Sequence, residues 1–142
     1  MSLTKIDSWI GRTLFVPPII KLCQITRQSQ FAIARLFWFI AALDGFYRAE
    51  TLVSSVLFGV LSLIMMLTAS LRADMPTNSS VGFRMLAVAF FLMDVVTGLA
   101  TGTWRGIEFW IFVMIAEYAG SIRTIPPRES RKKAVKSVKA GT

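Results

Sequence analysis

An all-α integral membrane protein with four transmembrane helices is the fold class this sequence predicts. An N-terminal amphipathic interfacial helix is expected to precede them. Three observations carry that expectation. Four apolar runs separated by short polar breaks fill the chain between Phe31 and Ile122. Apolar residues make up 54% of the 142 residues and charged ones only 17%, below the share of an ordinary soluble domain. The 16 Lys and Arg are concentrated towards the two ends and give a net charge of +8.

The arm, residues 1–30, comes first. Leu3, Ile6, Ile10 and Leu14 recur at helical spacing, with Lys5, Asp7 and Arg12 elsewhere on the wheel. Thr4 followed by Asp7 fits a capping box. Trp9 suits a membrane interface. Pro17-Pro18 is expected to break this helix, leaving Ile19–Gln30 as a second interfacial piece. A surface-lying anchor and a soluble arm packed on a cytoplasmic loop are both open readings. No signal-peptide cleavage is expected, because Lys5, Asp7, Arg12 and Lys21 interrupt the apolar character.

The membrane domain is expected over residues 31–122. Its spans are Phe31–Tyr47, Leu52–Leu71, Met85–Thr101 and about Trp104–Ile122. A helix needs roughly 17–25 mostly apolar residues to cross a core of about 30 Å. Leu52–Leu71 meets that length with no charge inside it. A re-entrant Phe31–Tyr47 is the alternative to a full first span. A soluble helical protein with very apolar core helices is the alternative to the whole scheme.

Charge sets the orientation, since cytoplasmic loops carry excess Lys and Arg. Lys5, Arg12, Lys21 and Arg27 precede span one. Arg72 and Arg84 flank the loop between spans two and three. Arg123 opens the tail, residues 123–142, and Arg128, Arg131, Lys132, Lys133, Lys136 and Lys139 follow it. Four spans put all these on one side. Both termini are therefore expected in the cytoplasm of a bacterial inner-membrane, multi-pass protein. The outer layer holds Asp44, Arg48, Glu50, Arg105 and Glu108. The basic tail is expected to meet anionic headgroups of the lipid bilayer. Nucleic acid is not expected as a partner, because no aromatic residue interleaves with those charges.

Ionisable residues inside spans are costly and point to function. Arg35, Asp94 and Glu117 are the three polar intramembrane candidates. Asp94 lies near the middle of span three without an opposite charge at its depth. It is expected in a polar pathway or an oligomer interface; a buried, protonated acid is the plainer reading. Gly98, Gly102 and Gly106 follow at four-residue steps, and Ser55 and Gly59 repeat the spacing in span two. Small residues so placed let helices approach closely, although Gly102–Gly106 also reads as a turn. Arg35 and Glu117 lie at matched depth in spans one and four. They are expected to pair, with a snorkelling Arg35 as the alternative.

Catalytic material is sparse. There is no His, which removes imidazole acid–base chemistry and His metal ligation. The single Cys23 excludes an internal disulfide and a thiolate zinc site. No phosphate-binding Gly-rich loop is present. Neither an enzyme nor a cofactor or metal site is expected.

The stretch Leu92-Met93-Asp94-Val95-Val96-Thr97-Gly98-Leu99-Ala100 resembles the Asp-[Tyr/Val/Ile]-x-[Thr/Ser]-Gly segment of the toxin-secretion/phage-lysis holin family. Arg105-Gly106-Ile107 resembles that family's basic turn into its next helix. Glu117, Ser121-Ile122 and Pro126 then fall in the family's order and spacing. The likeness spans Leu92 to Pro127, about a quarter of the chain. Ala116 stands where the family has Asn, and Arg123-Thr124 replaces an acidic-Asn pair. The resemblance implies a phage or prophage protein that accumulates in the inner membrane as a homo-oligomer. It would then open lesions through which a cell-wall hydrolase escapes. Two other classes remain beside it: an accessory or scaffold subunit among other membrane subunits, and a small proton-coupled exporter using Asp94.

Overall fold

The computed structural model describes residues 2–72, 81–104 and 106–121, and these are helical with no strand among them. The tail, including Arg128, Arg131, Lys132, Lys133, Lys136 and Lys139, lies outside the described residues, as does Arg105.

Helix α1 (Leu3–Ile10) continues through a π-helical turn, Gly11–Phe15, into α2 (Val16–Thr26). The expected break at Pro17-Pro18 does not occur. These prolines sit in the first turn of α2, where a missing N–H leaves no helical bond unmade. The arm ends at Arg27, whose φ of 54° is left-handed. Nor does the expected capping box form. Ser2 is the N-cap of α1, and Asp7 is turned into the bundle.

Helix α3 (Gln30–Tyr47) starts at Ser29, whose hydroxyl accepts from the Ala32 N–H at 3.2 Å. Thr51 caps the next helical run in the same way, accepting from Ser54 N–H. That run comprises α4 (Leu52–Ser54), a π-helical stretch Ser55–Val60, and α5 (Leu61–Arg72). Helix α6 spans Val81–Thr101 and α7 spans Ile107–Ser121. The start of α6 precedes the expected Met85 and brings Arg84 inside the helix.

Helix α3 is the centre of the packing. It lies against α7, and also against α5 and the Ser55–Val60 stretch; α6 packs on α7, and α1 on α6. Its buried stripe is Ala34, Trp38 and Ala41, three positions on one face. Helix α7 answers with Phe109, Val113 and Ala116 at the same spacing. Small side chains let these helices come close: a Cβ on Gly120 would lie 3.9 Å from that of Ala34. Near the other end of α3, a Cβ on Gly45 would fall 2.7 Å from the Phe58 carbonyl carbon. Backbone therefore touches backbone there.

Helix α6 is the one described helix long and apolar enough to cross a membrane, and Leu52–Thr68 is a shorter apolar helix. Only 17% of the most apolar stretch of α6 is buried in the bundle. Leu86, Leu92, Met93, Val96 and Leu99 on α6 are exposed, as are Leu57, Leu61, Ile64 and Leu67 on the preceding run.

Candidate functional site

Two polar centres occupy opposite ends of the bundle. The first joins the arm to α6 and α7. Arg84 donates through Nε to Asp7 Oδ1 at 2.9 Å and through Nη2 to Oδ2 at 2.6 Å. The Tyr118 hydroxyl donates to Asp7 Oδ1 at 2.9 Å. All three residues are buried. The Arg84 guanidinium also lies 5.6 Å from the Tyr118 ring centre, and Phe15 stacks on that ring at 4.6 Å. The charge of Glu117, also buried, acts on Arg84 as well. Burial pushes the Asp7 carboxyl up. The hydrogen bonds from Arg84 and Tyr118, with the Arg84 charge, outweigh it and hold the group below its usual value. A two-pronged, charge-assisted contact of this kind fixes orientation as well as charge.

The second centre is a cleft of about 560 Å³ formed where α3 ends and α7 begins. Asp44, Tyr47, Arg48 and Glu50 line it from α3 and the residues after it, Asp94 from α6, and Phe109 and Trp110 from α7. Arg48 donates through Nε to Asp44 Oδ1 at 2.8 Å and also bridges to Glu108. The other Asp44 oxygen, Oδ2, is fully buried without a hydrogen-bond partner. Such an orphaned acceptor is uncommon and costly. A second, mainly apolar cavity of about 450 Å³ adjoins this one. The two share Phe58, Asp94, Phe109 and Trp110. No cluster of three or more possible metal-ligating His, Cys, Asp or Glu occurs among the described residues.

The expected site residues divide between these centres. Asp44, Arg48 and Glu108 form one ion-paired group, with Glu50 in the same cleft. Asp94 is half-buried and faces that cleft. The expected Arg35–Glu117 pair is not formed. Arg35 is exposed, and its Nε donates to the Phe31 carbonyl at 3.4 Å. The helices do meet, but Arg35 lies next to the contact residue Ala34, about 100° further round the helix.

The glycines are corrected too. Gly102 and Gly106 have φ of +73° and +95° and build the turn between α6 and α7 rather than a packing face. The Gly102 N–H closes on the Gly98 carbonyl at 2.8 Å, ending α6. Gly98 seats the Trp104 ring, since a Cβ there would fall 2.9 Å from Trp104 Cε3. Trp104 thus belongs to the turn and not to the fourth helix. Gly59 packs against the Phe46 ring of α3, and Ser55 is half-buried in the same π-helical stretch.

From the sequence Asp7 was expected only as a helix cap and Arg84 only as a loop charge, and Tyr118 was given no role. The available signal was charge: Asp7 is the lone acid in an arm whose other charges are all basic. No family model matches the chain, and no curated protein or solved structure matches it.

Proposed function

We propose that this chain is a multi-pass protein of the bacterial inner membrane, with both termini cytoplasmic, that oligomerises and permeabilises the bilayer in the manner of a holin. The observation that carries the proposal is α6: a membrane-length apolar helix whose outer surface has almost no protein cover. Exposed apolar area on that scale calls for lipid or another helix. The helices beside it are shorter. At 1.5 Å per residue, 18-residue α3 reaches about 27 Å and the 15 residues of α7 about 22 Å. The last falls short of a core of about 30 Å. A short helix thins the bilayer locally or drives association at its ends.

The resemblance around Asp94–Gly98 and Arg105–Ile107 supplies the specific activity. The Asp7–Arg84–Tyr118 centre is satisfied within one copy, which suits a protein held harmlessly in the membrane until copies rearrange. Induced expression tests the reading. Growth should stop and a potential-sensitive dye should report collapse of the membrane potential. Membrane accumulation without collapse would instead favour an accessory subunit, for which the exposed Leu57–Leu67 face offers a surface.

A further inference from the structure

We propose that the outer face of the arm is a docking surface for anionic phospholipid headgroups, with Lys5 and Arg12 holding phosphate beside Trp9. The structure turns the arm's only acid away from that face. Asp7 is the single acid of residues 1–30, and it points into the bundle, held by Arg84 and Tyr118. Lys5, Ser8, Trp9 and Arg12 recur at three- and four-residue steps on the opposite side of the helix, and all four are exposed. With Thr4 and Thr13 they line one groove of about 480 Å³. The Lys5 and Arg12 side chains make no ion pair or hydrogen bond among the described residues. Two cations thus flank an exposed indole, and the arm itself offers them no acid.

Position selects lipid as the source of that phosphate. Arg84 is the fourth residue of α6 and Tyr118 the fourth from the end of α7. The clamp therefore fixes the arm at the end where α6 leaves the bilayer. This placement rests on the proposal that α6 is a span, and not on permeabilisation. Leu3 and Leu14 on the arm are exposed as well. Basic side chains, an indole and exposed leucines on one short helical arm match a headgroup layer with hydrocarbon below it. A choline head brings a second cation towards Lys5 and Arg12, whereas a glycerol head brings none. That selects anionic over zwitterionic phospholipid.

The test uses the full chain in a nonionic detergent and follows Trp fluorescence. Dihexanoylphosphatidylglycerol should give a saturable change, at least about tenfold tighter than dihexanoylphosphatidylcholine, and inorganic phosphate should give none. Most of that change should disappear in Trp9→Phe, since Trp38 and Trp110 lie outside the groove. Lys5→Gln with Arg12→Gln should weaken phosphatidylglycerol binding at least about tenfold, without loss of helical circular dichroism. Lys136→Gln with Lys139→Gln removes the same charge from the tail and should weaken it far less. Equal losses in the two double variants would overturn the proposal, as attraction to the net charge of +8 alone. Equal binding of the two lipids would overturn it as partition into the micelle, and that comparison needs no variant. Binding of inorganic phosphate, or of oligothymidylate as tightly as lipid, would overturn it as a free-anion or nucleic-acid site. Reporter fusions test the span separately, so a failure of docking and a failure of the membrane reading are told apart.

Discussion

Arg84 on α6 clamps Asp7 on α1 through two charge-assisted hydrogen bonds, across a separation of 77 residues. Removing one partner from a buried ion pair typically costs about 3–5 kcal/mol, because the other charge is left uncompensated. Arg84→Ala and Asp7→Ala should each lower the thermal unfolding temperature in detergent and expose the arm to protease. Tyr118→Phe keeps the ring stacked on Phe15 and loses only one bond to Asp7. It should cost about 1.5–3 kcal/mol, as for a hydrogen bond to a charged group. If the arm stays protease-resistant in Arg84→Ala, the clamp does not hold it.

The clamp should also give stability an acid limb. The Asp7 carboxyl in the folded state titrates below its ordinary value of 3.8. A group depressed on folding adds stability that is fully present above the unfolded value and is lost as pH falls through the folded one. Melting curves between pH 7 and pH 2 should therefore show wild type falling towards Asp7→Asn as acid is added. A gap that stays constant with pH would assign the loss to packing alone.

The turn between α6 and α7 should tolerate its two glycines unequally. Gly102→Ala meets open space and only an unfavourable φ, which costs roughly 1–2 kcal/mol. Gly106→Ala carries the same backbone strain and also sets its Cβ 2.7 Å from Asp94 Oδ2. It should be the more damaging of the two in a thermal melt, and combining it with Asp94→Ala should recover part of the difference. Equal effects would show that Asp94 moves aside freely.

Arg35 should prove nearly silent. Its side chain is exposed and bonds only to its own helix, so Arg35→Ala should change membrane accumulation little. Exchanging charges as Arg35→Glu with Glu117→Arg should be worse than either change alone, because Glu117 is buried beside Arg84. Recovery in the exchanged protein would restore the direct pair.

For the proposed topology, reporters fused after Thr142 should report cytoplasm. Reporters placed within Gly102–Gly106 should report the opposite side. A periplasmic C-terminus would overturn the four-span arrangement.

The helical class and the limits of α3 were legible, because an apolar run bounded by Ser29 and Arg48 is a strong local pattern. Asp44, Arg48 and Glu108 were grouped from the sequence, and the structure brings these three together as ion pairs. Partners within that group were not legible. Rotation about a helix axis decides whether a residue such as Arg35 meets its neighbour, and apolarity all round α3 leaves that rotation unmarked. The glycine steps left packing and turn open for a related reason. A four-residue spacing looks alike on a helix and across its end, and only the positive φ at Gly102 and Gly106 separates the two. The α3–α7 seam uses alanine instead, which sequence reading passed over.

The placement of α3 has a consequence for the order in which the chain is made. The ribosome delivers the arm first, yet Asp7 depends on Arg84 and Tyr118, and α3 depends on α7. Until α7 emerges, the nascent chain carries an acid without its full set of partners and a central helix with only α2, α5 and the stretch before α5 alongside. The arm must therefore wait for α6 and α7 while α3 and α5 pair. Closure of the bundle then becomes a late event of synthesis, set by completion of α7.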